Sequence, residues 1–117
     1  MLHISPEHVA AVYDCLRSFE PWRSLGLPPA EEVEIHVRAR RDCYAEYTST
    51  VRAHKILVSS ALIGGFETLA GVVGHEMLHL AQELNGTSNS AQHNAEFRRL
   101  ARIACRRIVW DERAFIG

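Results

Sequence analysis

Two histidines four residues apart with a glutamate beside the first, His75-Glu76-Met77-Leu78-His79, are the residues of this chain best placed to do chemistry. On a helix, positions i and i+4 lie about 40° apart around the axis, so two imidazoles can reach one metal ion. Glu76, about 100° round from His75, can stand beside the ion without ligating it. A carboxylate there can take a proton from a metal-activated water and pass it to a leaving amine, the two transfers that peptide hydrolysis needs. H-E-x-x-H is short enough to arise by chance, so its surroundings decide. They are apolar: the helix predicted from about Thr68 to Asn85 carries little polarity beyond His75, Glu76, His79, Gln82 and Glu83. Two histidines and a glutamate in the interior are costly to desolvate unless something satisfies them, and a metal ion does.

Imidazole ligands at this spacing suit zinc, which in catalytic sites takes three protein ligands and leaves one position open. The extended pattern H-E-x-x-H-x-x-G-x-x-H is not met, because Gln82 and Asn85 occupy the places of its glycine and last histidine. The next candidate is His93, after a polar loop, with Glu96 as its competitor. His93 is preferred because Asn94 and Glu96 could then buttress its ring. His3, His8, His36 and His54 stand alone and read as surface or internally satisfied residues. His54, Tyr44 and Tyr47 fall on strands that could border a cleft, a weak pointer to substrate contact.

The elements that must position these residues are legible in outline. Ser5-Pro6-Glu7 is a helix start, and Val9, Val12, Tyr13, Leu16 and Phe19 follow at helical spacing. Pro21, Gly26, Pro28 and Pro29 break the chain into a loop. Val33, Ile35 and Val37 then alternate with Glu34, His36 and Arg38 as a half-buried strand does, and Arg40-Arg41-Asp42 reads as a turn. Cys43 to Thr50 and His54 to Ser59 read as two further strands, antiparallel neighbours, and Gly64-Gly65 closes the sheet region. Gly86 ends the motif helix. A last long helix, about Asn94 to Ile108, turns Phe97, Leu100, Ala101, Ala104 and Ile108 to one side, and a tail with Trp110, Phe115 and Ile116 packs back. The order helix, three strands, two helices predicts an α+β fold.

The 117 residues, with 47% apolar and 23% charged side chains, fit a single domain spanning 1–117 that buries a sizeable core without disulfides. Thirteen basic against fourteen acidic residues give no global charge argument for nucleic acid or membrane. Cys15, Cys43 and Cys105 form no C-x-x-C pair and read as three small buried side chains in a reducing compartment. The start MLHISPEHVA lacks a signal-peptide pattern, and no run approaches the ~18 apolar residues that cross a bilayer, so the expectation is a soluble, cytoplasmic protein without a membrane partner.

The pair His75-Glu-Met-Leu-His79 and His93-Asn-Ala-Glu-Phe97 resembles the SprT-like, or Spartan, family of zinc metallopeptidases, in which H-E-x-x-H is followed after a variable loop by H-G-x-x-F. The resemblance covers about residues 54 to 105. It implies a minimal zincin-like domain in which His75, His79 and His93 hold Zn2+, Glu76 is the catalytic base and Phe97 anchors the helix that follows. Asn94 replaces the family's glycine, a position where asparagine tolerates left-handed backbone better than most residues. The cysteine-rich zinc ribbon of many relatives is not among these residues. The family includes proteases of DNA-crosslinked proteins, so the resemblance implies protein or peptide substrates and raises DNA-associated ones. Arg98, Arg99, Arg102, Arg106 and Arg107 could meet phosphates, although a solvated face with arginines suited to a helix C-terminus is the favoured reading. The expectation is a zinc-dependent endopeptidase; the alternative is a zinc-stabilised, non-catalytic binding or regulatory module, DNA-associated or not.

Overall fold

The computed structural model describes residues 3–108 and 110–117. Helix α1 (Pro6–Leu16) begins at a reciprocal cap: Ser5 Oγ accepts the His8 N–H, and His8 Nδ1 accepts the Ser5 N–H. Its stripe of Val9, Val12, Tyr13 and Leu16 is buried. Phe19, expected to extend that stripe, lies beyond the helix end and is 44% exposed. The Ser18 hydroxyl takes up the Cys15 carbonyl, and the chain turns away before Pro21. In the loop that follows, Trp22 is fully buried and its indole N–H donates to the Gly74 carbonyl at 3.1 Å, tying the loop to the motif helix.

The three strands are β1 (Glu34–Arg38), β2 (Ala45–Ser49) and β3 (His54–Ser59), in the order β1-β3-β2. β2 and β3 are antiparallel, as expected, with Ala45 opposite Val58 and Tyr47 opposite Ile56. β1 runs parallel to β3 and does not pair with β2, so the turn at residues 40–42 leads away from β1 instead of closing a hairpin. Burial explains the arrangement: Ile56-Leu57-Val58 is apolar on both faces, and a strand buried on both faces takes the middle of a sheet. β2 is therefore an edge strand.

Helix α2 (Phe66–Asn85) starts two residues before the predicted Thr68 and ends at Gly86, whose φ of 69° is left-handed. Leu69, Val73, Met77, Leu78, Leu80 and Ala81 bury its inner faces. Gly74 is demanded by packing, since a Cβ there would meet Trp22 Cζ2 at 2.9 Å. Helix α3 (Ala95–Ile108) buries Phe97, Leu100, Ala101, Ala104 and Cys105. The tail does pack back, as a short helix α4 (Glu112–Ile116) with Phe115 and Ile116 in the core and Trp110 stacked on Phe115.

The fold is thus α+β, four helices and a small three-stranded mixed sheet among the described residues. The expectation of three buried cysteines holds only for Cys105; Cys15 is exposed and Cys43 half-buried, and all three are free. Among the described residues no helix is long and apolar enough to cross a membrane.

Candidate functional site

Helix α2 sets His75 and His79 one turn apart, and the loop before α3 brings His93 against them. His75 Nε2 lies 3.2 Å from His79 Nε2 and 3.3 Å from His93 Nε2. Two nitrogens at zinc–imidazole distances from one tetrahedral ion stand about 3.3–3.4 Å apart, which these two separations match, and all three ligand nitrogens lie within 4.8 Å of one another. The Phe97 ring forms the floor, 4.9, 4.6 and 4.7 Å from the rings of His75, His79 and His93. This half-buried three-histidine group could hold a metal ion.

Protonation suits that role. His75 Nδ1 is 2.7 Å from the Phe115 carbonyl oxygen, which can only accept, so the ring proton sits on Nδ1 and Nε2 presents its lone pair to the cluster. Burial lowers the pKa of His75 to about 4, the neighbouring His93 adding to the effect. His79 is likewise lowered to about 4 by burial and by the other two histidines. His93 is lowered by its smaller burial and by Arg98. Neutral imidazoles are what a divalent cation requires.

Glu76 lies beside the cluster, its Oε2 3.9 Å from His75 Nε2. It is 7% exposed, and burial raises its carboxyl to about 8 against the lowering effect of the Tyr47 backbone N–H. That N–H is available because of strand register. The Ser59 N–H bonds the Tyr44 carbonyl and the Thr50 N–H bonds the Ala53 carbonyl. Even-numbered residues of β2 therefore pair with β3, while Ala45, Tyr47 and Ser49 turn their main-chain groups outward. The cluster opens into a cleft of about 780 Å³ lined by Tyr47, Gly71, Glu83, Asn89 and Trp110 among others.

The structure thus brings together His75, Glu76, His79 and His93 and leaves Glu96 outside. Glu96 is held by Arg99 through contacts of 2.7 and 2.8 Å, which keep its carboxyl below the usual range. Of the two residues expected to buttress the His93 ring, Glu96 turns to Arg99, and Asn94 bonds Gln82, the Thr87 carbonyl and the α3 main chain, with no bond to the ring itself. Asn94 Oδ1 caps α3 at the Phe97 N–H (2.9 Å), and it is Arg98 whose Nε donates to the His93 carbonyl (3.2 Å). His8 caps α1, His54 Nδ1 is 2.6 Å from the Tyr47 hydroxyl, and neither they nor His3 and His36 join the cluster. Tyr44 and Tyr47 do border the cleft. Sequence reasoning missed the Phe115 carbonyl, a main-chain group with no side-chain signature. It also gave Gln82 no role, although a buried amide in an apolar helix was a visible signal.

No protein-family model, curated protein or solved structure matches the chain, so the likeness to the SprT-like family stays with the two motifs that carry it.

Proposed function

We propose that this chain is a zinc-dependent metalloendopeptidase, SprT-like in its motifs and zincin-like in the arrangement of its active-site helix. The observation that supports it most is the convergence of three imidazoles, with ligand nitrogens all within 4.8 Å of one another and two Nε2 separations of 3.2 and 3.3 Å, beside a desolvated carboxyl in an open cleft. A zinc ion held by His75, His79 and His93 would supply Lewis acidity toward a scissile carbonyl and a water molecule. Glu76 is the proton carrier. Burial raises its pKa in the metal-free fold, and a cation beside it would favour the ionised form, leaving a carboxylate able to take a proton and return it to a leaving amine. The outward main-chain groups of Ala45 and Ser49 offer an extended peptide an edge to pair with.

The alternative, a zinc-stabilised binding or regulatory module without turnover, requires a closed coordination shell. Among the described residues no fourth His, Cys, Asp or Glu joins the three histidines, which favours the enzyme. Proteins associated with DNA are the substrates that the motif resemblance suggests. Peptide-library hydrolysis by zinc-loaded wild type and zinc-loaded Glu76→Gln, with and without DNA, tests the proposal. Cleavage by the wild type and none by the variant supports it; stoichiometric zinc with no cleavage of any member favours the module.

A further inference from the structure

Gln82 is 2% exposed on a helix whose other buried residues are mostly apolar, one turn beyond His79 and on the same face. A buried primary amide is tolerated only where its donors are used. Both donors are directed into the loop that carries His93: Gln82 Nε2 donates to Asn94 Oδ1 at 2.9 Å and to the Thr87 carbonyl at 3.3 Å. Asn94 Nδ2 donates to the same Thr87 carbonyl at 3.0 Å, closing a ring of three residues. Asn94 Oδ1 at once receives the Phe97 N–H and so caps α3. The main chain repeats the tie, since the N–H groups of Gly86 and Thr87 both donate to the Gln82 carbonyl.

His93 needs such a device. His75 and His79 share one helix and keep their spacing without help, whereas residues 86–92 are mostly exposed and give His93 little support. Arg98 ties the His93 carbonyl to α3 only, whereas the ring of Gln82, Asn94 and Thr87 links that backbone to the helix bearing the other two histidines.

We infer that Gln82 is a positioning residue for the metal centre: with Asn94 and the Thr87 carbonyl it forms an amide clamp that registers His93 against His75 and His79. The inference rests on the three histidines binding metal and is independent of hydrolysis. Gln82→Met keeps size and helix propensity but removes both donors.

The test is Zn2+ affinity, measured by chelator competition on the full chain, for wild type, Gln82→Met, His93→Ala and the double variant, with the folding of each metal-free protein followed by circular dichroism. Loss of a hydrogen bond made directly to a ligand weakens metal binding by about 10–100-fold; Gln82 acts one residue further out, so about a tenfold fall is expected for Gln82→Met. Because the clamp acts through His93, the same change on the His93→Ala background should cost less than about twofold, a coupling that a merely structural role would not produce. Asn94→Asp keeps the helix cap and the acceptor for Gln82 but loses the bond to Thr87; it supplies a folded second variant should Gln82→Met unfold, and its affinity should fall part of the way. Wild-type affinity in the folded variants, or an equal loss with and without His93, overturns the clamp. Absence of zinc binding by the wild type overturns the metal centre and the clamp with it.

Discussion

Replacing Glu76 by glutamine separates two consequences of one buried carboxyl. Burial raises its pKa from an ordinary 4.5 to about 8 in the metal-free fold. Between those values the folded chain keeps a proton that the unfolded chain releases, so folding stability falls as pH rises, by about 1.4 kcal/mol per pH unit. At pH 7 the accumulated penalty is about 3 kcal/mol, and it vanishes near the ordinary pKa. Glutamine has the same shape, carries no charge, and its amide oxygen can still accept the Tyr47 N–H. Metal-free Glu76→Gln should therefore be about 3 kcal/mol more stable than wild type at pH 7, a rise in Tm of about 10 °C, while metal-loaded activity falls by about 10²–10⁴. The assay is urea unfolding of both proteins in excess chelator from about pH 5 to about pH 8. The difference between the two curves isolates Glu76, because every other titrating group is common to both. Zinc should shrink it, since a neighbouring cation favours the ionised carboxylate. A difference that stays flat with pH, or a variant less stable than wild type near pH 8, would refute the reasoning.

Zinc measured by mass spectrometry should fall sharply in His93→Ala and stay at the wild-type level in Glu96→Ala, because Glu96 is engaged by Arg99. Burial keeps His75 and His79 neutral down to about 4, so protons compete weakly for them. From pH 7 to pH 5, chelator competition should show zinc affinity dropping by about 25-fold or less, against more than about 10⁴-fold for three ordinary histidines. Gly74→Ala should destabilise the fold by about 1–3 kcal/mol in thermal unfolding despite alanine's helix propensity, because the new Cβ meets the Trp22 ring.

Much of the architecture could be read from local pattern. Ser5-Pro6 capping, the period-two run at Val33–Val37, Gly86 after the motif helix and the Phe97-Leu100-Ala101-Ala104 face are each decided by neighbours within one or two turns. The histidines of the candidate site were legible for the same reason, two of them by helical spacing and the third by its place at the head of α3. What was not legible is non-local. Nothing in residues 34–38 says that they pair in parallel with residues 55–59 and not with the strand that follows. Phe19 keeps helical spacing but stands past the point where the helix stops, and Cys15 resembles a core residue only until α1 turns it outward. The contributions of Trp22, Gln82 and the Phe115 carbonyl all depend on partners that only the folded chain brings near.

The bond from His75 to the Phe115 carbonyl spans 40 residues and makes the centre a product of late assembly. A growing chain that has reached residue 93 already carries all three imidazoles, yet lacks the group that pins the His75 proton to Nδ1. The donor arrangement of the three histidines is therefore complete only with α4 in place.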